Sequence, residues 1–334
     1  MAMSFRLPSL GDLESAAALV YTVMPPTPQQ CWPALSARTG ADVWMKHENQ
    51  TPVGAFKVRG GITYLDHLRR TEPGVTGVVT ATRGNHGQSI GLAARRHGLP
   101  AAVVVPRGNA VEKNNAMRRL GVELIERGHD FQAALEAAAE IAVERAWHLV
   151  PAFHPLLLLG VATYSLELFR AVPDLDTVYV PIGLGSGICG LIAAREALGL
   201  RTKIVGVVSD AAPAYAISFA AGHPVSHDVT TQIADGMACR TPVPEALEII
   251  RRGAERVVQV SDPEVEAAMR ILFTDTHNVA EGAGAAALAA LMKERARMRG
   301  KRVGVVLSGG NVDREVLDRV LSEGDGVDRR PAFR

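Results

Sequence analysis

From residue 77 onward the chain repeats one pattern: a short, continuous apolar run, a glycine- or proline-bearing turn, then a stretch of helix length. The runs are GVVTA at 77–81, AAVVVP at 101–106, VELIE at 122–126, TVYVPI at 177–182, KIVGVVS at 203–209, RVVQV at 256–260 and RVGVVLS at 302–308. A strand with one wet face alternates apolar with polar, whereas continuous runs belong to strands covered on both faces. Strand following helix following strand therefore predicts an α/β protein of open twisted sheets with helices on both faces. The 334 residues exceed one typical core, which favours two domains. Helices are expected at 9–21, 56–70, 89–98, 110–120, 130–146, 158–171, 244–252, 262–274 and 280–296, and a strand at 41–48, with 210–240 less regular.

The bulk numbers exclude several classes. Hydrophobic residues make up 47% and charged residues 21%, which points neither to disorder nor to membrane insertion. Acids and bases are mixed and the net charge is +1, so nothing electrostatic calls for nucleic acid or an anionic membrane. Cys31, Cys189 and Cys239 are far apart and odd in number, giving no disulfide framework or zinc spacing and fitting a reducing cytoplasm. MAMSFRLPSL lacks the apolar core of a secretory signal, and LLLLGVA at 156–162 is too short to span a bilayer.

Four stretches carry chemical potential. In ENQTPVGAFKVRGGI at 48–62, Lys57 lies between Phe56 and Val58. Such a lysine is either solvated past its neighbours or partly buried, and burial would make its amine a nucleophile and base. GLGSGICG at 183–190 follows a strand and opens a helix, so its backbone N–H groups suit a phosphate. Gly185, Gly187 and Gly190 also match the dinucleotide fingerprint, with Asp210 as its ribose acid; a turn made only for packing is the third reading. TATRGNHGQS at 80–89 brings Asn85 and His86 to a helix N-terminus suited to a carboxylate, or else simply caps its own helix. In VVLSGGN at 305–311, Ser308 ends a buried strand before two glycines; alone it is an ordinary loop residue.

Taken together, AFKVRGG, TRGNHGQ, GLGSG and LSGGN resemble, in order and spacing, the fold-type II pyridoxal-phosphate enzymes, in particular the serine/threonine dehydratase branch with its serine racemase relatives. The likeness runs from Pro26 to Leu321 and implies a tryptophan synthase β-like fold. It implies a large cofactor-binding domain of 1–70 and 155–325, a small substrate-side domain of 71–154 and a tail of 326–334. It implies that Lys57 bonds covalently to the aldehyde of pyridoxal 5′-phosphate and serves as the base at substrate Cα. Gly183, Leu184, Gly185, Ser186 and Gly187 would hold the phosphate, Asn85 the ring 3′-oxygen and Ser308 the pyridine nitrogen. Thr82, Arg83, Gly84, Asn85 and His86 would surround the substrate carboxylate.

The expected activity is dehydration and deamination of a small 3-hydroxy amino acid, first threonine or serine, to a 2-oxo acid and ammonia. 3-Hydroxyaspartate, phenylserine and intermediates of hydroxyectoine breakdown stay open as substrates. The rivals of another class are an NAD-dependent dehydrogenase and a catalytically silent amino-acid binder. Val58 fits the dehydratases, since synthase branches generally have aspartate there, while Ala55 and Gly61 are small departures from serine and alanine. Arg83 stands where racemases place a reprotonating serine; an arginine is a poor proton donor, so racemisation should be weak. Val208 and Ala214 occupy the carboxylate positions of a family cation site, so no metal is expected. The chain ends soon after its last strand, without room for an amino-acid-sensing domain, which suggests a catabolic role. A cytoplasmic homodimer is expected by analogy.

Overall fold

The computed structural model describes residues 6–323. One sheet has six strands: β1 (Gln29–Cys31), β2 (Asp42–His47), β7 (Thr177–Pro181), β8 (Lys203–Ser209), β9 (Arg256–Val260) and β10 (Arg302–Leu307). Their order is β1-β2-β10-β7-β8-β9, parallel except for β1. The other sheet is parallel, with β3 (Val78–Ala81), β4 (Ala101–Val105), β5 (Glu123–Glu126) and β6 (His148–Leu149) in the order β5-β4-β3-β6.

Helices fill the crossovers. They are α1 (Leu10–Tyr21), α2 (Pro33–Thr39), α3 (Lys57–Thr71), α4 (Asn85–Arg96), α5 (Val111–Arg119), α6 (Phe131–Arg145) and α7 (Pro155–Ala171). After β7 come α8 (Ser186–Ala197), α9 (Ala214–Ala221), α10 (Pro244–Gly253), α11 (Asp262–Thr276), α12 (Gly282–Lys293), α13 (Arg295–Met298) and α14 (Arg314–Ser322). Ser9 starts α1 with a reciprocal capping box to Asp12.

Both sheets are covered on two faces, for the reason the apolar runs imply. Val303, Val305 and Leu307 pack with Tyr179 and the alanines of α12, while Val306, Val178 and Val180 turn to the opposite side against α7 and α8. In the small sheet Val78, Val103 and Val105 face α3 and α4, whereas Val79, Ala102 and Val104 face the alanines of α6. Each such fully buried valine contributes on the order of 1.5–3 kcal/mol. The edges depart from the expectation: β5 exposes Glu123 and Glu126, and β9 is only partly covered.

Other differences have simple causes. Strands β1 and β6 have three and two residues, too few to show a period, and α2 has seven. Residues 210–240 hold one short helix, α9, and the stretch 280–296 breaks at Glu294 into two helices. Tyr64, Leu65 and Leu68 of α3, with Leu157 of α7, pack in the small sheet's core, and α7 also packs on the large sheet through Leu158, Val161 and Ala162. The tail assigned to 326–334 lies outside the described residues.

Strand order decides where chemistry can occur. β2, β10 and β7 are adjacent and parallel, so the segments leaving their carboxyl ends must meet. Those segments are the approach to Lys57, the Ser308 turn and the glycine loop at 183–187.

Candidate active site

The three segments, with the turn after β3, line one cleft of about 140 Å3 between the two sheets. Lys57, Thr82, Arg83, Gly84, Asn85, His86, Gly183, Leu184, Gly185, Ser186, Gly187 and Ser308 all line it. Asp210 does not; it is exposed after β8, which removes the ribose acid from the dinucleotide reading of the glycine loop.

Lys57 is the first residue of α3, and its position is fixed on three sides. Phe56 N–H donates to the Ser308 carbonyl at 3.1 Å, Ala55 bridges Gly309, and Gly310 N–H donates to the Gly54 carbonyl at 2.9 Å. Ser89 of α4 donates its hydroxyl to the Lys57 carbonyl at 2.6 Å and accepts from Gly61 N–H at 3.2 Å. Beneath lies the wholly buried Arg59, which bonds Glu48 at 2.7 and 2.9 Å and Glu167 at 2.6 and 3.0 Å. The Lys57 amine donates to Ser186 Oγ at 3.0 Å. Burial pushes its pKa down to about 8, so an appreciable fraction is neutral near neutral pH. A cation at a helix N-terminus is disfavoured in the same direction.

The glycine loop runs from β7 into α8, whose first-turn N–H groups have no intrahelical partner. Tyr164 and Tyr215 hydroxyls bind the carbonyls of Gly187 (3.1 Å) and Leu184 (2.9 Å), which leaves the loop's donors for the cleft. Gly185 has φ +102°, and a Cβ there would stand 2.8 Å from Ala246 Cβ, so the bend requires glycine. Such a turn suits an anion, and the Lys57 amine lies 3.0 Å from its Ser186 hydroxyl.

Across the cleft, Thr82 Oγ1 accepts from Gly84 N–H at 2.9 Å and shapes the turn into α4. His86 is held neutral: burial, then the Lys57 charge, depress its pKa to about 3 against a hydrogen bond to Pro151, and its Nε2 has no partner. Asn85 donates to Glu281 Oε1 at 2.6 Å and accepts from Asn311 at 2.9 Å, and among the described residues the other of its two N–H bonds has no partner. Ser308 is buried, with its hydroxyl directed to the Ala283 carbonyl at 3.4 Å.

Three charged residues of the cleft escape sequence reasoning. Lys113 of α5 reaches Asp235 at 2.7 Å and Glu281 at 3.0 Å. Burial alone would strip its proton, but the two carboxylates outweigh that and raise its pKa. Burial also raises Glu281, with Lys113 opposing. Each is an unremarked charge in sequence, and their partners stand 122 and 168 positions away, so nothing local signals the cluster.

The chain is similar to known proteins over most of its length. The sequence profile of a family described as pyridoxal-phosphate dependent enzyme matches residues 20–309. An L-threonine ammonia-lyase of Thermotoga maritima is 33% identical over 317 residues, covering 95% of this chain and 79% of that protein. One of Geobacter sulfurreducens is 36% identical over 291 residues, covering 86% and 72%. Among solved structures, maize serine racemase superposes with a TM-score of 0.88 at 27% identity, covering 95% of this chain and 98% of the other.

Proposed function

We infer the function from one premise: the chain belongs to the pyridoxal-phosphate-dependent enzyme family. Within it the chain is an ammonia-lyase, converting a small 3-hydroxy amino acid, L-threonine or L-serine foremost, to a 2-oxo acid and ammonia. The observation that carries this reading is the Lys57 amine, depressed to about 8 and bonded to Ser186 at the mouth of an anion-binding helix turn.

The cleft fits the cofactor. The first turn of α8 and the bend at Gly185 form a cradle for a phosphate, Lys57 supplies an amine for an aldehyde, and the Ser308 hydroxyl stands ready for a ring nitrogen. When bound, pyridoxal phosphate supplies the electron sink for the pair left on substrate Cα. Lys57 Nζ takes the Cα proton, and its lowered pKa suits it to that role near neutral pH. The N–H groups opening α4, from Asn85 and His86, orient the substrate carboxylate. Neutral His86 adds no charge there. Asn85 offers its remaining N–H to the ring 3′-oxygen. The Ser308 hydroxyl is neutral and does not fix a proton on the ring as a carboxylate would, which favours loss of the β-hydroxyl. The Cα–H and Cβ–O bonds break and one water leaves; hydrolysis of the released enamine takes up one water and frees ammonia. Arg83, always charged, is no proton donor for racemisation.

We further read residues 1–70 with 155–325 as a large domain, 71–154 as a small one, and the enzyme as a cytoplasmic homodimer. Among the described residues no helix is long and apolar enough to cross a membrane. The test is ammonia and 2-oxo-acid release by the holoenzyme across a panel of 3-hydroxy amino acids. Release that Lys57→Ala abolishes supports the reading; a holoenzyme that binds amino acids but releases neither product from any of them refutes it.

A further inference from the structure

The geometry points to Arg83 as the residue that selects substrates bearing a second anionic group on Cβ. The site therefore takes 3-hydroxy dicarboxylic amino acids, of which 3-hydroxyaspartate is the smallest, alongside threonine and serine. This rests on the elimination reading above and extends its substrate class.

The argument is a charge census of the cleft. Its cationic side chains are Lys57, Arg83 and Lys113, and its acidic ones Asp235 and Glu281. Lys113 is committed to both acids, and Lys57 is bonded to Ser186 in the phosphate cradle. Arg83 remains: it lines the cleft, its Nε is buried, and that Nε has no hydrogen-bond partner among the described residues. Asp130, one acid that feels its charge, spends an oxygen on Ala133 N–H as the cap of α6. A buried guanidinium N–H without an acceptor is a costly arrangement unless a ligand supplies one.

The α-carboxylate is not that ligand's distinguishing group, because the free N–H groups opening α4 already suit it. Arg83 lies two residues before α4 and lines the same cleft, so a second carboxylate bound beside the first has this guanidinium as its counter-ion. Threonine carries a methyl in place of that second carboxylate and leaves the guanidinium unanswered; a β-carboxylate meets it as a bidentate pair. Elimination from 3-hydroxyaspartate follows the same balance as above and yields oxaloacetate and ammonia.

The test uses the holoenzyme as wild type, Arg83→Ala, Arg83→Gln and Arg83→Lys. Succinate and butyrate, which share a carbon count and differ by one carboxylate, are titrated calorimetrically. In parallel, kcat/KM is measured for 3-hydroxyaspartate and threonine. Wild type should bind succinate about 10- to 100-fold more tightly than butyrate, the range of a charge-assisted hydrogen bond. That preference should vanish in Arg83→Ala and Arg83→Gln and survive in part in Arg83→Lys, and the ratio of the two kcat/KM values should fall by a similar factor, mostly through KM. Arg83→Gln nearly keeps the side chain's size and guards against a folding defect in the alanine variant. Equal binding of the two probes, or a preference that all variants keep, overturns the inference while elimination from threonine can still stand. An Arg83-dependent succinate preference without any 2-oxo acid keeps the recognition and removes the elimination.

Discussion

At the scale of single residues, the site works by controlling two protons through burial. The Lys57 amine titrates near 8 because the folded chain withholds water from its ammonium form. In the cofactor-free protein it should therefore react with a small aldehyde plus reductant at a rate that rises with pH and levels off above about 8. Peptide mass mapping after brief labelling measures this; a midpoint near that of an ordinary lysine, about 10.4, would contradict the assignment. His86 is the opposite case, a histidine kept neutral down to about pH 3. The pH profile of kcat/KM should consequently lack a His86 limb near 6.5, and the ring's NMR shifts should stay flat from pH 5 to 9. A His86 titration inside that window would show that the ring is solvated. Lys57 and Ser308 were readable in sequence only through four motifs taken together, since neither stretch decides its own role. Lys113 and Glu281 were not, because an ion pair across 168 positions leaves no trace in either neighbourhood.

Among the elements, the notable one is α3, which carries the lysine and packs both into the small sheet's core and against α1. Its first turn stands on a buried ionic cluster: Arg59 with Glu48 and Glu167, and Lys46 with Glu167 at 2.5 Å. Burial alone would raise Glu167, but Arg59 and Lys46 outweigh it and hold its carboxyl below the usual range. Arg59→Ala should leave two buried carboxylates without their fork and cost about 3–5 kcal/mol, read from urea unfolding with an unchanged slope. A loss under about 1 kcal/mol would mean that water reaches the cluster. The sign of the pH effect follows from the depressed Glu167. Its stabilisation is present above the unfolded carboxyl pKa and is lost as pH falls through the lower folded value. Glu167→Gln should thus flatten the acid side of the stability curve. The alternation of apolar runs made the parallel strands legible, since covered strands are apolar on every residue. β1 and β6 were illegible because three and two residues owe their pairing to the neighbouring strand, not to their own pattern.

For the whole molecule, the question is what holds the two sheets across the cleft. The links gather at α5 and at the N-termini of α4, α12 and α14. Val111 and Glu112 N–H groups donate to Asp313 at 3.0 and 3.2 Å, and Arg314 N–H donates to Glu112 at 3.2 Å. Lys113 spans the gap to Asp235 and Glu281, and Asn85 bonds Glu281 and Asn311. Most of the links are polar and several are exposed at the rim, so they set the closed arrangement without being the main source of stability. Lys113 differs because it is buried and pairs two acids. Removing it breaks the buried ionic link between α5 and the two acids across the cleft, which should favour an open cleft. Lys113→Met is therefore expected to raise KM for amino acids about tenfold or more with a smaller change in kcat, since about 1.4 kcal/mol of closure is a factor of ten. Asp235→Asn removes the same ion pair from the other side, so together with Lys113→Met it should cost less than the sum of the two, giving a coupling energy of roughly 0.5–3 kcal/mol in a double-mutant cycle. Additive effects of the two substitutions would show that the pair does not govern closure.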